Sequence, residues 1–148
     1  MVMAVPFLES LRASVNDEIW GIGKSNAIHL YNGLNLLDRY IPLDKKDIVS
    51  FFDAVSFLKK TEFKRGILLP HSFRSALLFY MAGIKERTGY ARNKRGFMLT
   101  KHAPETLTLE STTGHYMRII DMLGGRRTEN ETPLLFVTQD EELRYYEQ

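Results

Sequence analysis

The sequence has no cysteine in its 148 residues, which excludes disulfides and thiolate metal sites and fits a reducing, cytoplasmic setting. It has no run approaching the roughly 18 to 20 apolar residues that a membrane-spanning helix needs. It has no internal repeat and no low-complexity tract, and its four histidines have no spacing that would set two of them on one helix face as metal ligands. The "GIGKS" stretch at residues 21–25 lacks the first glycine of a phosphate-binding loop, because Glu18 stands in its place. Asn130, Glu131 and Thr132 form a glycosylation sequon, which has no meaning in a cytoplasmic chain.

What remains is an ordinary globular composition, 44% hydrophobic and 26% charged, in a length that suits one domain burying about 70% of its unfolded surface. The net charge of +2 conceals an asymmetry. Lys85, Arg87, Arg92, Lys94, Arg95 and Lys101 crowd together against Glu86, whereas Glu129, Glu131, Asp140, Glu141, Glu142 and Glu147 face only Arg144. Such a split marks either solvated loops or a surface for an anion, and in the second case the anion belongs to the middle of the chain.

Hydrophobic periodicity alternates between strand and helix. Pro6 suits a first helical turn that brings Phe7, Leu8 and Leu11 to one face. "EIWGI" predicts a strand, "NAIHLYNGLN" a helix with Ser25 as its cap, and "RYIPL" a second strand with Pro42 at its end or on an edge. Ile48, Phe51, Phe52, Val55 and Leu58 then repeat at three and four, with Asp44 placed to cap them. "GILL" reads as a central parallel strand covered on both faces. In the helix after it Phe73, Ala76, Leu77, Tyr80 and Met81 share a face, Leu78 and Phe79 widen it, and deep burial is expected up to Gly83. "RTGYA" is a further strand, residues 92–108 a long loop or extended segment, residues 110–123 a helix, and the tail a strand followed by acidic helical turns.

This alternation implies an α/β domain with a mostly parallel sheet, in which ligands sit beyond the carboxyl ends of the strands. "PHSFR", residues 70–74, falls at such a strand end and opens a helix, where free N–H groups and the helix dipole favour an anion. His71 and Ser72 can be plain capping residues or ligand contacts. Arg74, a cation in an apolar helix, needs a carboxylate or a ligand near that terminus. With Arg92, Lys94 and Arg95 of "ARNKRGF" it outlines a cradle for phosphate or carboxylate.

Residues 67–100, "ILLPHSFRSALLFYMAGIKERTGYARNKRGFMLT", resemble the lipopolysaccharide heptosyltransferases, glycosyltransferase family nine, in the region reading L-P-N-S-F-R-S-A, A-G-I-x-x-R-x-G-Y and R-x-x-L-L-T. Weaker agreement at "MAVPFLESLR", "YIPLD" and "HYMRIIDMLG" extends the resemblance over nearly the whole chain. His71 departs from the family's asparagine. The resemblance implies a Rossmann-like parallel sheet, the N-terminal half of a glycosyltransferase-B fold lacking its first strand. On that reading residues 1–132 form a partial acceptor-binding domain and 133–148 begin an interdomain connection.

The resemblance further implies transfer of heptose from ADP-heptose to the inner core of lipopolysaccharide without a metal or other cofactor. This chain would supply the acceptor side, with His71, Ser72, Arg74, Arg92, Lys94 and Arg95 as contacts to an anionic glycolipid. The family's general base, an aspartate before the first helix, and the nucleotide-sugar domain lie outside the sequence, so the chain alone is expected to be inactive. It is also expected to begin inside an element and to have an unpaired gap in mid-sheet. Peripheral contact with the membrane is expected through the lipid-borne acceptor and the basic loop, without nucleic acid. The alternative is a non-catalytic module that kept the half-domain to bind a glycolipid or a protein.

Overall fold

The computed structural model describes residues 2–31, 34–44, 47–104 and 111–128. A 3-10 turn at Val2–Ala4 leads into α1 (Val5–Ser14), where Pro6 sits in the first turn, then β1 (Trp20–Gly23). After a 3-10 turn at Ser25–Ala27 come the short α2 (Ile28–Tyr31), β2 (Arg39–Pro42) and α3 (Ile48–Thr61). β3 (Arg65–Leu68), α4 (Phe73–Met81) and β4 (Glu86–Gly89) follow. A 3-10 turn at Gly96–Met98, β5 (Lys101–His102) and α5 (Thr112–Met122) complete the described chain.

All described strand pairs are parallel. β1 pairs with β2, Trp20 opposite Arg39 and Gly23 opposite Pro42. β4 lies between β3 and β5, with Arg65 opposite Glu86 and Thr88 opposite Lys101. The two ladders are separate sheets of two and three strands. Trp20, at the start of β1, nevertheless meets Phe63 edge-on at 5.1 Å, and Asp17 pairs with Arg65 at 3.1 Å, so the β1 edge is turned towards β3. Among the described residues no strand lies between β1 and β3. As a consequence β3, expected to be central, is an edge strand among the described residues.

Helices cover both faces, as an all-parallel sheet requires. On one face Val5, Phe7 and Leu8 of α1 pack with Met117, Ile119 and Ile120 of α5, and Ile67 of β3 joins them. On the other, Phe51, Val55 and Leu58 of α3 pack with Leu78 and Ala82, and Ile22 and Ile41 join from β1 and β2. α3 thus links the β1–β2 ladder to α4. Gly66 has no room for a side chain, since a Cβ there would lie 2.6 Å from the Phe79 ring.

Four local expectations are corrected. Asp47, not Asp44, caps α3, its carboxylate accepting from the Ser50 N–H at 2.8 Å. Asp44 instead accepts from the Ser25 N–H at 2.8 Å, so Ser25 is bound by a cap rather than acting as one. The helix expected over residues 26–35 is only the single turn of α2, and Asn35 already stands at φ 50°. α4 is not deeply buried: it hides Ala76 and Leu78 and leaves Phe73, Tyr80 and Met81 exposed. The strand and acidic turns expected in the tail lie outside the described residues.

Candidate functional site: the strand-end cradle

The carboxyl ends of β3 and β4 form the site. From β3 the chain runs through Pro70 and His71 to Ser72, whose hydroxyl accepts from the Ser75 N–H at 3.1 Å and starts α4. The capping reading of Ser72 is thereby realised, since an N-cap oxygen satisfies one of the helix's free donors. From β4 the chain turns sharply at Asn93 and Lys94, both with positive φ, at 57° and 58°. Asn93 tolerates that conformation and uses it: Nδ2 donates to the His71 carbonyl at 2.7 Å, tying the two strand-end loops together.

Arg95 holds the same junction from beneath. It is fully buried, and its Nε donates to the Tyr90 carbonyl at 2.8 Å while Nη1 donates to the carbonyls of Pro70 and Ser72. Burial lowers its pKa from the ordinary guanidinium value, yet arginine keeps its charge in proteins. The expectation that Arg95 contacts a ligand is corrected accordingly. With no exposed surface, it reaches one only through the loops it fixes.

Above it lies a ring cluster. His115, from the first turn of α5, stacks on Tyr90 at 4.6 Å, and His71 meets Tyr90 edge-on at 5.6 Å. The two imidazoles are 6.1 Å apart, and Arg92 Nη2 approaches His115 Nε2 to 3.3 Å. This contact joins the turn after β4 to the first turn of α5. The Tyr90 hydroxyl donates to the His115 carbonyl, which anchors α5 to the end of β4. His115, Tyr90 and Asn93 were not among the contacts expected from the sequence, although Tyr90 closes the G-Y motif and His115 opens the "HYMRIIDMLG" match. Asn93 carried a weak signal as a turn former, whereas His115 is separated from Arg92 by 22 intervening residues and joins it only through the placement of α5.

The structure thus brings together His71, Ser72, Arg92 and Arg95, with Lys94 exposed at the tip of the same turn. Arg74 is engaged elsewhere: Nη2 donates to the Asp47 carbonyl at 3.1 Å, and its guanidinium lies 4.8 Å over the Phe51 ring. It braces the start of α4 against the start of α3. Two shallow depressions elsewhere are not part of the cradle. One of about 540 Å³ is lined by Pro104, Arg118, Asp121, Met122 and Arg127, and one of about 480 Å³ lies between α3 and the β1–β2 ladder. Among the described residues no helix is long and apolar enough to cross a membrane.

The profile of glycosyltransferase family 9 (heptosyltransferase) matches residues 54–110, which enclose the stretch whose motifs carried the resemblance. No curated protein matches the sequence. Among solved structures, a family 9 glycosyl transferase from Veillonella parvula superposes with a TM-score of 0.81 at 18% identity, over 99% of this chain and 44% of its own. The E. coli ADP-heptose lps heptosyltransferase II superposes with a TM-score of 0.77 at 22% identity, over 97% of this chain and 45% of its own. The chain therefore has the α/β fold of these enzymes over nearly its full length and spans less than half of theirs. The family resemblance itself is shown over residues 54–110.

Proposed function

We propose that this chain is the acceptor-side half of a heptosyltransferase-like glycosyltransferase. The observation that carries this reading is the convergence of His71, Arg92 and His115 at the carboxyl ends of two parallel strands. A parallel sheet places ligands at that edge, and these groups suit the phosphates and acidic sugars of a lipopolysaccharide inner-core acceptor. Arg95 and Asn93 fix the two loops beforehand, so little ordering is left for binding to accomplish. The donor would be ADP-heptose, held mainly by a second domain, and the lipid-borne acceptor would bring the protein to the cytoplasmic side of the membrane. No cofactor is assigned.

The cradle supplies binding and orientation rather than bond-breaking groups. Fixing an acceptor hydroxyl next to a donor lowers the entropic part of the barrier, and the nucleotide sugar would be presented by the second domain. The chain alone mixed with ADP-heptose and acceptor is accordingly expected to yield no product.

Binding is the direct test, measured by calorimetric titration of a lipid-free, phosphorylated inner-core oligosaccharide. Arg92→Glu should weaken it by about tenfold or more, since a charge-assisted contact becomes a repulsion. Undiminished affinity in this variant, with an unchanged melting temperature, would sink the acceptor-side assignment.

A further inference from the structure

We infer that His71 and His115 make the strand-end cradle a proton-linked site, which selects a phosphoryl dianion over a carboxylate by taking up protons as the anion binds. This rests on the acceptor reading proposed above and names the group of the acceptor that the cradle reads. The two imidazoles come from different elements, the loop after β3 and the first turn of α5, and their centroids lie 6.1 Å apart beside Tyr90. Arg92, exposed on the turn after β4, brings a third nitrogen donor to 3.3 Å from His115 Nε2. Three donors from three elements suit the three oxygens of a phosphate monoester, whereas a planar carboxylate offers two.

Charge decides the selection. Histidine changes charge near neutrality, so the cradle combines one fixed charge, on Arg92, with two that depend on pH. An unprotonated His115 Nε2 accepts from Arg92. Once that nitrogen is protonated neither group can accept, and the pair is satisfied by an oxygen that takes both N–H bonds. The groups facing the rings are neutral or positive. Arg95 is buried beneath the loops, Lys94 stands at the turn tip, and the Tyr90 phenol lies against both imidazoles. On α5, Tyr116 follows His115, its phenol pushed up by burial, and Arg118 lies one turn further on. α1 packs against α5 through the uncharged Val5, Phe7 and Leu8, and Thr113 turns to the Met3 thioether. Among such neighbours a second positive ring is unfavourable by itself, and a doubly charged anion offsets that repulsion more fully than a singly charged one. The dianion therefore binds with proton uptake, and its affinity falls as pH rises.

His71 is the specificity-determining member of the pair. It stands where the resembled family has asparagine, a side chain that hydrogen-bonds but takes up no proton near neutrality. The bond from Asn93 goes to the His71 backbone carbonyl, so exchanging the side chain leaves the tie between the two loops in place.

The test is calorimetric titration of the whole chain with the lipid-free, phosphorylated inner-core oligosaccharide and with the same oligosaccharide after phosphatase treatment. Titrations at about pH 7 and about pH 8.5 keep the phosphate monoester a dianion, its second pKa being roughly 6, so a change in affinity reports on the protein. Going to the lower pH, the wild type should gain about fivefold or more in affinity for the phosphorylated form, with protons drawn from the buffer. For the dephosphorylated form the change should stay below about twofold. His71→Asn should keep its melting temperature and lose most of the gain, while His29→Asn, exposed on α2, should behave as the wild type. Wild-type affinity indifferent to pH, an equal pH response to the two oligosaccharides, or the full gain retained in His71→Asn would overturn the inference. Binding that ignores pH but is lost in Arg92→Glu removes the proton link and leaves the acceptor reading standing; failure of the wild type to bind either oligosaccharide removes both.

Discussion

Asn93 donates to the His71 carbonyl across 22 residues of sequence, and through this bond the loop after β3 and the turn after β4 become one surface. Arg95 secures the same two loops from inside, bonding to Pro70 and Ser72 on one and Tyr90 on the other. A polar side chain at the rim and a buried cation below it do the work that direct β3–β4 pairing stops doing once the strands end.

Arg95→Met should destabilise the fold by about 2–4 kcal/mol, because it strands buried carbonyls that a charged donor had satisfied. Arg95→Lys should recover only part of the loss, since an ammonium group cannot reproduce the planar fork. Urea denaturation measures both. A loss below about 0.5 kcal/mol in Arg95→Met would show that the bonds to these loops are dispensable.

Asn93 separates conformation from bonding. Asn93→Gly keeps the positive φ at little steric cost but deletes the bond to His71, whereas Asn93→Ala gives up both. Alanine should therefore be the less stable of the two, by about 1 kcal/mol, and both should weaken oligosaccharide binding. Thermal melts and calorimetry on the two variants provide the comparison.

For α3, Asp47→Ala should cost about 1 kcal/mol through loss of the helix cap. Asp44→Ala should leave α3 intact and loosen the turn at Ser25 instead. Amide exchange distinguishes the two: protection at Ser50 drops only in the first, and at Ser25 only in the second.

The Arg12 guanidinium beside Asp38, assisted by the Ile19 N–H, holds the Asp38 carboxyl below the ordinary aspartate value. A folded-state pKa lower than the unfolded one stabilises the fold at pH values above the unfolded pKa. That contribution is lost as pH falls through the lowered folded value. Asp38→Asn should thus be less stable near neutrality and show a shallower decline on the acid side. Melting temperature followed from pH 7 downward tests the sign.

Separate ladders predict uneven protection. β4 is paired on both sides, while among the described residues β1 and β3 turn unpaired edges towards each other. Exchange of the β4 amides at Thr88 and Gly89 should accordingly be the slowest among the strands. Equally slow exchange along both edges of β1 would contradict an open interruption.

The sequence alone determined the succession of elements, because short apolar runs and three-to-four spacing are local signals that need no knowledge of neighbours. It also marked "PHSFR" and "ARNKRGF" as cations gathered next to a strand end, although Arg74 and Arg95 turned out to serve the packing of the loops and helices around them. Tertiary structure decided the direction of each side chain. It turned Arg74 to α3, sank Arg95 beneath the loops, brought His115 up to Tyr90 and Arg92, and faced Phe73, Tyr80 and Met81 outward. Periodicity tells which residues share a face, but only packing against distant elements tells whether that face looks in or out.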